Sequence, residues 1–101
     1  MRIIWANSAL LDLDAIRGYY VDEVCNPHAA MRVARAILKT GDALDVFPLR
    51  GRRLADGMHT FPVVAYPQYR LVYDVDEAAG VVEIVHVEAT VTEAPRPAGG
   101  R

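Results

Sequence analysis

Along Tyr69-Arg70-Leu71-Val72-Tyr73-Asp74-Val75 the apolar positions recur with a period of two, which marks a half-buried strand. Alternation sets Tyr69, Leu71, Tyr73 and Val75 on one face and Arg70, Val72 and Asp74 on the other, so burying the apolar face displays Arg70 on the working side. This stretch reads as the central strand of an antiparallel sheet. A second run, Val81-Val82-Glu83-Ile84-Val85-His86-Val87, follows across Asp76-Glu77-Ala78-Ala79-Gly80, a length and composition suited to a hairpin loop with Gly80 near its end. Upstream, Arg2-Ile3-Ile4-Trp5 reads as a short edge strand whose Trp5 anchors the core, and Asn7-Ser8 supplies helix-capping side chains.

From Ser8 to about Val24 the spacing changes. Ala9, Leu10, Leu13, Ile16, Tyr20 and Val24 recur every three or four residues, with Asp12, Asp14 and Arg17 assigned to the solvent side, so an amphipathic helix is expected. Asn26-Pro27 restarts the helical pattern, because Asn accepts from the free N–H groups of a first turn and Pro is pre-set for the first helical position. The second helix carries the stripe Ala30, Val33, Ala34, Ile37 and Leu44 and ends before Pro48, with Thr40-Gly41 expected to fray or kink its last turns. Phe47-Pro48-Leu49-Arg50-Gly51-Arg52-Arg53 has lost the period and reads as a basic connection. His59 to Val64 is expected to be a further strand, pushed toward an edge or a bulge by Pro62, before a turn at Tyr66-Pro67-Gln68. The order is β-α-α-β-β-β, an α+β fold in which a helical hairpin covers one face of a small antiparallel sheet and leaves the other open.

A chain of 101 residues, 52% hydrophobic and 24% charged, suits one compact domain, expected over residues 1–90. Residues 91–101 are rich in Pro and Gly and are expected to form a flexible tail. A formal charge of -2 argues against bulk electrostatic attraction to nucleic acid, so local charge must do any such work. Between Leu49 and Tyr73 stand Arg50, Arg52, Arg53 and Arg70 against Asp56 alone. Arginine suits bidentate phosphate or carboxylate contacts; an Ala- and Arg-rich composition equally reflects coding bias. Cys25 is the one cysteine, which excludes an internal disulfide, favours a reducing compartment and reads as a structural residue. With neither a signal peptide nor an apolar run near the ~18 residues of a membrane span, a cytoplasmic location and no membrane partner are expected. No metal or cofactor is expected.

Five side chains are candidates for binding a target or partner: Arg50, Arg52 and Arg53 on the connection, Arg70 on the central strand, and His86 on the last strand. A charge inside an alternating strand must face solvent, pair with an acid or serve a site. Asp74, farther along the same face, is the expected partner of Arg70.

Trp5, Ala9-Leu10-x-Asp12-Leu13-x-x-Ile16 with Tyr19-Tyr20, Asn26-Pro27-x-Ala29-Ala30, Leu44-x-x-Phe47-Pro48-x-x-Gly51-Arg52, Tyr69-Arg70-Leu71-Val72-Tyr73 and Val82-Glu83-Ile84 together resemble the RelE/ParE superfamily of bacterial toxins over roughly residues 2–88. The Asn-Pro restart and the Phe-Pro-x-x-Gly-Arg link resemble its ParE branch. The resemblance implies a type II toxin whose cognate antitoxin, ParD-like or other, wraps it in a toxin–antitoxin hetero-oligomer through a segment that folds on binding. It implies inhibition of DNA gyrase for the ParE branch and, as the alternative, cleavage of messenger RNA in the ribosome for the RelE branch.

The two activities demand different residues. Cleaving RNA through its own 2′-hydroxyl needs activation of that nucleophile, a donor for the leaving oxygen and cations for the developing charge. RelE-like nucleases meet this with lysines on the strand before the central one, arginines on the central and last strands, and often a C-terminal tyrosine. Arg70 matches the central-strand arginine, and Arg70 and His86 are the catalytic candidates on that reading. His59-Thr60-Phe61-Pro62-Val63-Val64 holds no lysine, however, and no tyrosine follows Tyr73. Where ParE-like toxins commonly carry Arg-Val-Leu-His near the end, this chain has His86-Val87-Glu88-Ala89.

Overall fold

A computed structural model describes residues 1–90; the tail expected over residues 91–101 lies outside the described residues. The elements are β1 (Arg2–Trp5), α1 (Asn7–Asp22), α2 (Pro27–Asp42), a 3₁₀ turn (Ala43–Asp45), β2 (Arg52–Arg53), β3 (His59–Pro62), β4 (Tyr69–Asp76) and β5 (Val81–Ala89). The sheet order is β1-β5-β4-β3-β2, so the alternating stretch at Tyr69 is the central strand. Two features differ from expectation. The sheet is mixed, because β1 lies parallel to β5; these strands are far apart in sequence, and no hairpin ties their directions. The basic connection also adds the two-residue strand β2 to the edge.

Both helices pack on one sheet face. Ala9 and Ile16 of α1 and Val33 and Ile37 of α2 meet Tyr69, Leu71, Tyr73, Val82, Ile84 and Val87 in one core. Asn26 caps α2 as its sequence requires, its Oδ1 accepting the Ala29 N–H at 3.0 Å. The chain reverses just before it at Cys25, an exposed residue with φ 57°, in the left-handed region that closes helices. Helix α2 runs through Gly41 to Asp42. A Cβ there would overlap the Trp5 indole and Ile84 Cδ1, so the glycine lets β1 and β5 approach the helix.

Helix α1 departs most from its expected stripe. Leu10 is 45% exposed and Val24 lies exposed beyond the helix end, whereas Asp12 is completely buried. Asp12 stands three residues after Ala9 and four before Ile16, within the arc that faces the sheet. Ser8 likewise does not cap its own helix, since its Oγ donates to the Val85 carbonyl at 2.6 Å.

Candidate partner-binding site

Strand β1 pairs with β5 only as far as Ile84, and β5 runs on to Ala89. Helix α1 takes over that edge: Ser8 Oγ meets the Val85 carbonyl, and Asp12 Oδ2 accepts the buried Val87 N–H at 3.0 Å. A carboxylate thus stands where a neighbouring strand would have placed a carbonyl, which offsets the cost of burying it. The same Oδ2 lies 3.0 Å from His86 Nδ1. With Asp12 as acceptor, Nδ1 carries the hydrogen and Nε2 is left for other contacts.

A bulge brings His86 to this position. Tyr73 pairs with Ile84 but Val72 pairs with His86, so Val85 is an extra residue in β5. Before it Val82 and Ile84 face the core; after it Val87 does. Strict alternation from Ile84 would have pointed His86 inward, and the extra residue turns it to the face opposite the helices. There it stands next to the Arg70–Glu88 cross-strand pair. Arg70 Nη2 donates to Glu88 Oε1 at 2.9 Å and Nε to the same oxygen at 3.2 Å. Glu88 therefore replaces Asp74 as the expected partner of Arg70. Asp74 lies about 13 Å along the strand, four residues at ~3.3 Å each, whereas Glu88 stands directly opposite.

The three arginines of the connection do not form one patch. Cross-strand register aligns Arg52 with Thr60, Val72 and His86, on the face shared with Arg70. Arg53 aligns with His59 and Tyr73 on the helix-bearing face. Arg50 lies over the Phe61 ring, its guanidinium carbon 4.4 Å from the centroid, a cation–π contact. Sequence proximity of Arg50, Arg52 and Arg53 could not show this split, because adjacent strand residues point to opposite faces. The open face is also not basic: beside Arg52 and Arg70 it carries Glu88 and the acidic cross-strand pair Asp74–Glu83.

Beneath the connection, Tyr73 stacks on His59 with ring centroids 5.4 Å apart, and its hydroxyl accepts the Gly51 N–H at 3.1 Å. A Cβ at Gly51 would overlap both that hydroxyl and the Thr60 carbonyl. The glycine of the Phe-Pro-x-x-Gly-Arg link is thus a close-approach residue. Burial raises the Tyr73 hydroxyl above its ordinary value, against the smaller opposing pull of the Gly51 N–H and Arg50. Tyr69 is raised further, first by burial and then by its contact with Tyr20. Among the described residues, no group of three His, Cys, Asp or Glu side chains could hold a metal ion. No described helix is long and apolar enough to cross a membrane.

The model of the family described as ParE toxin of type II toxin-antitoxin system, parDE, matches residues 3–90. The chain belongs to the ParE toxin family. Toxin RelE2 of Caulobacter vibrioides is 36% identical over 86 residues, spanning 85% of this chain and 91% of that relative. A solved structure described as the chromosomal ParDE TA system from P. aeruginosa has a TM-score of 0.77 and covers 90% of this chain and 97% of its own. At 20% identity that likeness concerns the fold. This ParE-family toxin thus has the architecture implied by its Asn-Pro restart and Phe-Pro-x-x-Gly-Arg link. The Asp12 contact with β5 is the site feature that sequence reasoning missed. Its signals were an acid placed inside the arc bounded by Ala9 and Ile16 and the place of that acid in the Ala9-Leu10-x-Asp12-Leu13 motif.

Proposed function

We propose that this ParE-family toxin arrests growth by binding a protein target, with DNA gyrase the family expectation, and that a cognate antitoxin neutralises it in a cytoplasmic hetero-oligomer. Residues 1–90 act as the toxin domain, with contacts drawn from Arg50, Arg52, Arg53, Arg70 and His86. The observation that carries this reading is the state of Arg70. Its guanidinium is engaged by Glu88 on a face that also presents Asp74 and Glu83. An RNA backbone approaching that face meets carboxylates and a neutralised cation, the opposite of what phosphoryl chemistry needs. β3 supplies no lysine.

One observation favours the RelE-like alternative, ribosome-dependent mRNA cleavage. Asp12 orients His86 as an acid orients the imidazole of a general base, leaving Nε2 for a substrate hydroxyl. Induction in growing cells, with mapping of transcript 5′ ends and a supercoiling assay on purified gyrase, separates the two. Intact messages with inhibited supercoiling are expected. Codon-phased cleavage that disappears in Arg70→Ala and His86→Ala would establish the nuclease instead.

A further inference from the structure

Three cavities lie side by side around the 46–53 connection and share wall residues, so that together they line one track, the groove. The middle cavity, about 550 Å³, is lined by Met1, Val46, Phe47 and Leu49. Leu49 and Glu77 are also walls of a second cavity, about 530 Å³, which carries His59 and Asp56. Arg50 is shared with a third, about 380 Å³, floored by Ala36, Phe61 and Ala65 and flanked by Val64 and Lys39. Phe47 is 64% and Val64 75% exposed, so large apolar side chains that would prefer to leave water line this track.

Charge is ordered along the groove. At one end Asp56 and Glu77 outnumber Arg53, and His59 Nδ1 is buried there without a hydrogen-bond partner among the described residues. The middle is apolar. At the junction with the third cavity stands Arg50, held over Phe61 and in no ion pair among the described residues, with Lys39 beyond it. The face of an occupant must mirror this order, because charges that fail to match lose affinity and apolar walls need apolar anchors.

We propose that this groove receives one segment of the antitoxin, reading in order a basic side chain, a bulky apolar anchor, an acidic side chain and a second apolar anchor. The basic side chain enters the acidic cavity, where its donors meet the carboxylates. The first anchor packs against Phe47 and Leu49. The acidic residue pairs with Arg50, whose guanidinium is already positioned by the Phe61 ring. The second anchor fills the space between Phe61 and Val64. The identity of the partner rests on the toxin–antitoxin reading; the place and the pattern rest on the groove.

The test uses the full chain co-purified with the polypeptide encoded beside it, and titration calorimetry on the separated partners. Absence of any complex with the unaltered chain overturns the antitoxin reading, and this assignment falls with it. Given a complex, Leu49→Asp and Arg50→Glu are each expected to weaken it by about 30-fold or more, the loss typical of a dominant interface residue. Leu11→Asp, at an exposed position of α1, is expected to change it by less than about threefold. Changing the partner's central acid to Lys should restore binding to Arg50→Glu. Hydrogen exchange on the unaltered complex supplies a readout free of any folding defect in the variants, with protection expected over residues 46–53 and 61–65. Affinities within about threefold for both groove variants, or protection confined to the outer helix surface or the open sheet face, would overturn the assignment while leaving the antitoxin reading intact. So would self-association of the free chain that Leu49→Asp abolishes while antitoxin affinity stays unchanged, since the groove then holds a second copy.

Discussion

Asp12 shows how a polar side chain earns a buried position. Its carboxylate receives the Val87 N–H and faces His86 Nδ1, so the folded chain returns hydrogen bonds that burial removed from water. Asp12→Ala leaves the Val87 N–H buried without that acceptor and is expected to cost about 1–3 kcal/mol in urea unfolding. Asp14→Ala, which removes only a surface pair with Arg17, should cost less than about 0.5 kcal/mol. The buried tyrosines make a second prediction. Tyr69 and Tyr73 hold their protons more tightly in the folded chain than in the unfolded one. Their contribution is therefore complete below the ordinary tyrosine value of 10.0 and declines as pH rises above it, because the unfolded chain loses protons that the folded chain retains. Urea midpoints measured from neutral pH upward should fall beyond about pH 10, and Tyr69→Phe should flatten that decline.

Beyond the shared core, two small contacts at opposite ends fasten the helical hairpin to the sheet. Ser8 and Asp12 fasten the first turns of α1 to the β5 edge that β1 leaves unpaired. Gly41 fastens the last turn of α2 to Trp5, whose indole Nε1 also reaches Asp42 Oδ1 at 3.4 Å. Glycine within a helix ordinarily costs about 1 kcal/mol relative to alanine, so Gly41→Ala would stabilise an isolated helix. Here the added methyl must displace Trp5 or Ile84, and a net loss of about 1–3 kcal/mol is expected in thermal or urea unfolding. Gly18→Ala is the control: a Cβ there meets nothing within 4 Å, and the substitution should stabilise by a few tenths to about 1 kcal/mol.

As a whole molecule the chain buries one core between the hairpin and the sheet yet leaves Val46, Phe47, Leu49 and Val64 in water. A partner that covers them binds only the folded toxin and stabilises it by mass action. At a partner concentration of one hundred times Kd the gain is about 2.7 kcal/mol, so the melting temperature of the complex should rise as the antitoxin is added in excess. A free toxin that is as soluble and as heat-stable as the mixture at every ratio would argue against an obligate partner.

Much of this was written locally in the chain. Period-two alternation placed Tyr69, Leu71 and Tyr73 inward, Asn26-Pro27 started α2, and Gly80, with φ 67°, closes the β4–β5 hairpin as its position required. Such features depend on neighbours a few residues away, and so the order of apolar and polar side chains is enough to specify them. The rest depended on partners distant in sequence. Glu88 became the partner of Arg70 through strand register, and Arg52 and Arg53 parted to opposite faces through strand pairing. His86 turned outward because of one extra residue in β5, and Asp12 turned inward because β1 stops short of the end of β5. None of these is a property of a local segment. Each was decided when backbone groups remote from one another had to be paired, since a buried N–H or carbonyl left unpaired costs more than the placement of any one side chain.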